Sequence, residues 1–295
     1  MFSIITDSTS DLSLELREKY GIDYCKMEFS EGDTNYHASL DWDEISFKEF
    51  YGSMRQGKRF KTVQVPVKTF DEKFREHLEK GNDILYIACS SGLSGSINTA
   101  RVISEELRSA YPGRKIVCID SLISGMGQGS MAIKAAEMQQ EGKTLEETAE
   151  WIEANKLFFN QYGTVENLDY LKAAGRVTAS SAFFGNLFAV KPILISDLEG
   201  HNLAVKKVKG RKSSLEELAA MTAKYIVNPL DQTVYIGHAD DEAAANTAAE
   251  KIKELIPDVK TSLYEIGPIV GASVGPGTVI VFYFGKHKKE QVDGN

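Results

Sequence analysis

Cysteines and long apolar segments are scarce in this sequence. Its 295 residues include three cysteines, Cys25, Cys89 and Cys118. Three cysteines in a chain of this length fit a reducing compartment better than a disulfide scaffold, and their simpler interpretation is as small buried hydrophobes. No apolar run approaches the ~20 residues that span a bilayer, and the opening residues, MFSIITDSTSDL, lack the basic and apolar regions of a signal peptide. We therefore expect a cytoplasmic protein without stable membrane insertion.

Basic residues are outnumbered by acidic ones, 34 to 42, which gives a formal net charge of -8. This balance argues against a general nucleic-acid binder, because such proteins carry a basic face. The exception is segment 206–212, KKVKGRK, which is densely basic. A solvated hairpin is the simpler interpretation of this segment. Docking to an acidic partner or an anionic membrane surface is the alternative.

Motifs that bind nucleotides or metals are also missing. There is no G-x-x-x-x-G-K-[ST] element, no H-E-x-x-H and no C-x-x-C. His238 lies close to Asp240 and Asp241, but two aspartates at this position are better explained as caps of the helix that follows them. We therefore expect no metal and no cofactor, and the motifs of this sequence name no catalytic residue.

Strand-like and helix-like segments alternate through the first half of the sequence. The apolar run 84–89, for example, is preceded by a helical pattern that ends at Gly81. Strands separated by helices imply βαβ units. We therefore predict an α/β fold whose N-terminal domain, residues 1–155, has a largely parallel sheet flanked by helices. Segment 22–29 is predicted to be one of its strands.

The second half of the sequence has a different pattern. Residues 189–212 contain two strand-like runs joined by a turn at Glu199 and Gly200, and further helix and strand patterns follow. A hairpin followed by helix–strand units predicts a mixed α+β domain over residues 156–288. Segment 265–285, rich in glycine and proline, is predicted to contain a loop that allows a close approach of the backbone.

Four polar turns follow apolar strands in the first half, at 6–11, 61–66, 89–96 and 120–129. The carboxyl ends of parallel strands share one edge of a sheet, so these turns can converge there. A helix start after a Gly/Ser turn offers unpaired N–H groups to an anion. Capping of the helix is the alternative for each turn alone. Residues 89–100 contain no Lys or Arg, which favours a single carboxylate over a phosphate.

The order of these motifs resembles the DegV family of bacterial fatty-acid-binding proteins. The matching elements span nearly the whole chain: IITDSTSDL, KTVQVP, SSGLSGSINTA, LKAAGRV, VKPIL, GHADDEA and GASVGPGTV. The resemblance implies two α/β domains and a buried long-chain fatty acid. It implies that the hydroxyls of Thr62 and Ser94 hold the carboxylate, beside the N–H groups of the Gly95 turn.

The resemblance also implies a partner. Some family members present the bound fatty acid to a separate fatty acid kinase, which phosphorylates its carboxylate to an acyl phosphate for phospholipid synthesis. The family's Gly-Arg turn is matched by Arg176, a residue type that suits bidentate contact with an anion. The family's His two residues before Gly-Pro-Gly is replaced by Ser273. A serine hydroxyl cannot become cationic, so this departure bears on the kinase-linked role rather than on binding.

The implied ligand requires a long apolar lining. About 14 methylenes at about 0.8 kcal/mol each would contribute roughly 11 kcal/mol before the costs of association. Candidate lining residues are Phe183, Phe184, Leu187, Phe188, Ile193, Leu194, Ile195, Ile266, Ile269 and Val270. For most of them an ordinary place in the core is the simpler explanation. The same turns would also suit a stand-alone lipid carrier or sensor, or an enzyme acting on a small phosphorylated metabolite.

Overall fold

Three sheets organise the chain in the computed structural model, which describes residues 1–166, 168–178 and 190–294. The strands are β1 (Phe2–Asp7), β2 (Ile22–Cys25), β3 (Glu28–Glu31), β4 (Thr34–His37), β5 (Lys61–Val63), β6 (Asp83–Ala88), β7 (Ile116–Asp120), β8 (Phe159–Thr164), β9 (Val190–Ser196), β10 (Asn202–Lys209), β11 (Thr233–His238), β12 (Lys260–Glu265) and β13 (Val279–Phe284). The helices are α1 (Leu14–Tyr20), α2 (Phe47–Arg55), α3 (Val67–Glu79), α4 (Ser96–Ala110), α5 (Met126–Gln140), α6 (Leu145–Asn155), α7 (Asp169–Ala174), α8 (Arg211–Tyr225), α9 (Glu242–Leu255), α10 (Pro268–Val274) and α11 (Lys288–Asp293).

The internal contacts divide the chain into two compact units. The first unit contains residues 1–44, 60–156 and 267–269. The second contains residues 45–59, 157–266 and 270–295. Helix α2 therefore belongs to the second unit, although the residues before and after it in the sequence belong to the first.

A parallel sheet forms the centre of the first unit, with strand order β2-β1-β6-β7. Strands β1 and β6 are almost fully buried, as expected for central strands that helices cover on both faces. The helices begin and end at ordinary signals: Ser13 caps α1 and Gly21 ends it with a positive φ, while Thr144 and Glu147 form a capping box on α6. The predicted parallel α/β architecture of the N-terminal half is confirmed.

A small antiparallel sheet in the same unit has the order β4-β3-β5. The prediction of a single strand over 22–29 is therefore wrong, because the chain leaves the parallel sheet after Cys25 and enters the antiparallel one at Glu28. The backbone N–H of Met27 donates to the Ser8 hydroxyl at 2.9 Å within this break. The strand that precedes Pro66 likewise lies in the antiparallel sheet.

The sheet of the second unit is mixed, with strand order β10-β9-β8-β13-β11-β12. Among the strands of this sheet that the structure describes, only β11 and β12 pair in parallel. The predicted hairpin is present as β9 and β10. Helices α8 and α9 pack with this sheet around a core that includes Tyr162, Ile193 and Ile195. The mixed C-terminal architecture predicted from the sequence is confirmed. Ile193 and Ile195 are core residues of this unit.

The glycine-rich segment predicted as a loop contains a helix, α10. Pro268 begins it, and Gly271 lies against Tyr51, so that a Cβ at this position would meet the phenol ring. The Tyr51 hydroxyl donates to the carbonyl of Ile266 at 2.8 Å. The helix forms because tertiary packing outweighs the low helix propensity of Gly271 and of its β-branched neighbours.

The two aspartates after His238 have separate roles. Asp241 caps α9 by accepting from the backbone N–H of Ala244 at 3.2 Å, as predicted. Asp240 is not a cap. It adopts a left-handed conformation with φ 56° and pairs with Lys48 and Arg55 of α2. In the part of the chain that the structure describes, no helix is long and apolar enough to cross a membrane.

Candidate functional site

The carboxyl edge of the parallel sheet is organised by Asp7. This residue ends β1, is fully buried, and accepts the backbone N–H of Thr9 at 3.0 Å. Its other carboxylate oxygen accepts the Tyr86 hydroxyl at 2.8 Å and the backbone N–H of Cys89 at 3.0 Å. Asp7 therefore joins the turn after β1 to the turn after β6.

The turn after β7 joins the same edge through backbone contacts. The N–H of Ser90 donates to the carbonyl of Ile123 at 3.0 Å, and the N–H of Gly125 donates to the carbonyl of Thr9 at 2.7 Å. Asp120 accepts the N–H of Ser91 at 3.1 Å. Three of the four predicted turns, 6–11, 89–96 and 120–129, therefore converge at this edge. The grouping of the fourth, 61–66, with them is wrong, because it contains β5 of the antiparallel sheet.

The end of β5 lies against the serine turn from outside the parallel sheet. The backbone N–H of Val65 donates to the Ser96 hydroxyl at 3.1 Å. The Gln64 amide donates to the Thr99 hydroxyl at 2.8 Å and lies where a Cβ of residue 95 would be. Thr62 is half-buried in β5, paired with Phe29, two residues before Gln64. Thr62 and the turn of Ser94 and Gly95 thus belong to neighbouring segments of one unit.

Ser94 is half-buried and held by its own turn. Its backbone N–H donates to the carbonyl of Ser90 at 3.0 Å, which closes the turn. Its hydroxyl lies 3.0 Å from the hydroxyl of Ser96, the first residue of α4. Sequence reasoning did not single out Ser96 or Gln64, although both lie inside the quoted motifs. A serine at a helix start and a glutamine in a turn also occur in structures without any site.

Arg176 and Ser273 lie in the second unit. Arg176 follows α7 and is half-buried; its guanidinium donates to the carbonyl of Ala174, and its own carbonyl accepts from Asn202 at 3.0 Å. Ser273 lies in α10 and is half-buried. The position at which serine replaces the family's histidine therefore lies on a helix and not on the predicted loop. Of the candidate lining residues, Phe183, Phe184, Leu187 and Phe188 lie outside the described residues.

Asp11 brings a second carboxyl group into the turn after β1. It is buried with a left-handed backbone, φ 53°, and accepts the N–H of Gly267 at 3.0 Å. Burial raises the pKa of Asp11 well above its ordinary value, and nearby Asp7 raises it further, despite the Gly267 hydrogen bond.

Asp23, Glu76 and His77 form the only group of three potential metal ligands among the described residues. The Lys73 ammonium bridges two of them, at 2.9 Å from Asp23 and 3.2 Å from Glu76. The His77 ring contacts Asp23 at 3.0 Å. Burial alone would raise the pKa of Asp23, but the hydrogen bonds of His77 and Lys73 outweigh it and hold the pKa well below its ordinary value. The group is an ion-pair cluster in which the Lys73 ammonium is the cation.

We expect Asp23→Asn to lower the free energy of unfolding by about 1 kcal/mol at pH 7, since the cluster is partly exposed. The pKa of Asp23 is lower in the folded than in the unfolded chain, so its contribution is complete above about pH 4 and is lost as the pH falls further. Urea unfolding of both proteins from pH 7 to pH 3 checks this. Asp71→Asn, which removes an exposed pair with Arg75, is the control and should change little. A difference that grows on acidification would contradict the assignment.

The fold and the turns define a class of protein. Hydroxyl and amide groups collected beyond the carboxyl ends of a parallel sheet are typical of α/β proteins that bind small ligands. The family model described as "Uncharacterised protein, DegV family" matches residues 1–286, and the chain belongs to the DegV family. A DegV domain-containing protein of Clostridium perfringens is 38% identical over 98% of this chain and 99% of its own length. The family resemblance inferred from the motifs is confirmed.

Two solved structures of similar fold have known ligands. A DegV family protein from Thermus thermophilus, described by its fatty acid binding, is 26% identical with a TM-score of 0.84, covering 97% of this chain and 99% of that one. DegV of Bacillus subtilis, described as a fatty acid binding protein, is also 26% identical, with a TM-score of 0.82 and the same coverage.

Proposed function

We propose that this chain is a fatty-acid-binding protein without chemistry of its own. It binds a long-chain fatty acid in the cytoplasm, buries the acyl chain, and holds the carboxylate with the hydroxyls of Thr62 and Ser94. The observation that carries the proposal is the similarity, over nearly the full chain, to the fatty-acid-binding proteins of Thermus thermophilus and Bacillus subtilis. In this proposal residues 1–155 supply the carboxylate-binding turns, and residues 156–288 contribute the acyl-chain pocket.

The chemistry of the serine turn supports a carboxylate. A buried carboxylate needs hydrogen-bond donors, because an unpaired buried charge is prohibitive. Residues 89–100 offer hydroxyl and N–H groups and no basic side chain, which suits one negative charge better than the two of a phosphate. Arg176 and Ser273 are proposed as further ligand-binding residues. Arg176 matches the family's Gly-Arg turn, and Ser273 occupies the position of the family's histidine.

Denaturing extraction of the purified protein, followed by mass spectrometry, tests the proposal. Protein produced in bacteria should release long-chain fatty acid in near-stoichiometric amount. An unrelated protein purified in parallel is the control for lipid carried through purification. Release of a small phosphorylated metabolite, with no fatty acid, would reject lipid binding and favour the alternative of an enzyme acting at the same edge of the sheet.

We further propose that the bound fatty acid is presented to a fatty acid kinase. A carboxylate oxygen would attack the γ-phosphorus of ATP, so that an O–P bond forms, the bond to the leaving phosphate oxygen breaks, and ADP is released. Loaded protein is mixed with the kinase and ATP, and hydroxylamine traps any acyl phosphate as a hydroxamate. We expect Ser273→His to raise the yield relative to the natural protein. The absence of product from both proteins would favour a carrier or sensor that is not coupled to a kinase.

We expect Gly95→Ala to weaken fatty-acid binding about twofold to tenfold, the range of one lost hydrogen bond. Gly95 has an ordinary φ of -77°, so the added methyl group causes no backbone strain, but it displaces the Gln64 amide from its place. Titration of delipidated protein with palmitate measures the affinity. Gly52→Ala is the control, since nothing lies within 4 Å of its added methyl group. An unchanged affinity for Gly95→Ala would show that the hydrogen bond between Gln64 and Thr99 does not support ligand binding.

A further inference from the structure

Ser96 makes two hydrogen-bond contacts with its side-chain oxygen. It is the first residue of α4 and is fully buried. Its hydroxyl oxygen accepts the backbone N–H of Val65 at 3.1 Å and lies 3.0 Å from the hydroxyl oxygen of Ser94. It thereby joins the end of β5 to the serine turn.

The direction of the Ser94–Ser96 hydrogen bond follows from this arrangement. Among the residues that the structure describes, the only acceptor within reach of the Ser96 hydroxyl proton is the Ser94 oxygen. A buried hydroxyl proton without an acceptor is costly. Ser96 therefore donates to Ser94, and not the reverse.

Both acceptor positions of the Ser94 oxygen are then used. One takes the Ser96 hydroxyl proton, and the other takes the Ser96 backbone N–H at 3.3 Å. A serine hydroxyl has two acceptor lone pairs and one proton. The Ser94 proton remains, and it can only be donated to an acceptor that arrives at this half-buried position.

We infer that Ser96 is a positioning residue that fixes the Ser94 hydroxyl as a hydrogen-bond donor to the ligand. This inference rests on the proposed function and sharpens its ligand chemistry. A carboxylate only accepts hydrogen bonds and matches the arrangement, whereas an ammonium group of the same chain length only donates and meets an oxygen with no free lone pair. Palmitate is therefore bound, and hexadecylamine is rejected.

A double-mutant cycle on delipidated protein tests the inference, with palmitate affinity measured by calorimetry at pH 8. We expect Ser96→Ala to weaken binding about tenfold in the natural background and less than twofold in the Ser94→Ala background, because a residue that acts through Ser94 has no effect without it. Ser104→Ala is the matched control: it removes a buried hydroxyl from the same helix, one that donates to the carbonyl of Ala100 at 2.7 Å, and should leave the affinity unchanged.

A merely structural role of Ser96 gives a different result. Loss of the acceptor for Val65 would weaken binding equally in both backgrounds, and that outcome overturns the inference. If Ser96→Ala does not fold, Ser96→Cys keeps the shape of the side chain with a larger atom that is a weaker donor and acceptor. Its loss of affinity must likewise disappear in the Ser94→Ala background. Hexadecylamine binding as tight as palmitate binding also overturns the inference. Failure of the natural protein to bind palmitate would instead remove the proposed function itself.

Discussion

Replacing Thr62 with valine and Ser94 with alanine together should weaken fatty-acid binding at least about a hundredfold. Each hydroxyl is proposed to donate one hydrogen bond to a carboxylate, and hydrogen bonds to charged groups contribute about 1.5–3 kcal/mol each. Both side chains are half-buried, in neighbouring segments of the first unit. Some binding should persist, because burial of the apolar acyl chain still contributes to the affinity. The affinity for palmitate and the amount of lipid retained through purification measure the effect.

The control for this double variant carries the same chemical changes elsewhere. Thr247→Val and Ser104→Ala remove hydroxyls that donate to helix carbonyls, those of Ala243 and Ala100. Their combination should bind palmitate like the natural protein. If the Thr62→Val/Ser94→Ala protein also retains its lipid fully, these two residues do not hold the carboxylate.

Asp7→Ala should destabilise the protein by about 3–5 kcal/mol, a large fraction of a typical stability of about 5–15 kcal/mol. The substitution leaves three buried donors without their acceptor: the N–H groups of Thr9 and Cys89 and the Tyr86 hydroxyl. Each stranded donor costs about 1–3 kcal/mol. Urea unfolding followed by circular dichroism measures the loss.

Asp120→Ala is the matched control for Asp7. Asp120 ends the neighbouring strand β7 and accepts the N–H groups of Ser91 and Leu122, but it is only half-buried, so water can replace it and the expected loss is about 1 kcal/mol. Equal losses at the two positions would show that burial of the Asp7 network contributes nothing.

Much of the fold could be predicted because local signals and packing agree. Gly81 ends the helix before β6, and strands buried on both faces are continuous apolar runs. Local sequence signals gave wrong predictions where tertiary packing determines the structure. Segment 22–31 changes sheets without any change in its strand-like pattern. Helix α10 contains Gly271, a poor helix former, and forms because Tyr51, distant in sequence, packs against it.

The candidate site was only partly visible in the sequence for a similar reason. Ser94 stands out because it lies in a Gly/Ser turn before a helix. The sequence does not show the role of Ser96 or of the end of β5. Their contact forms only when folding brings Val65 to the start of α4. The position of Asp240 predicted a helix cap, but its carboxylate forms ion pairs with side chains of α2. Sequence spacing therefore indicates where a polar residue lies more reliably than what it binds.

The placement of α2 has a consequence for how this protein can be dissected. A fragment that ends near residue 155 would contain α2 without the rest of the second unit, in which Tyr51 is buried. The complementary C-terminal fragment would lack α2. Phe47, Phe50 and Tyr51 would then face solvent in the first fragment, and the second would have an unfilled space beside Gly271. The N-terminal and C-terminal halves of the chain therefore cannot be exchanged as independent domains. Swapping domains between relatives would require transferring residues 45–59 with the C-terminal half.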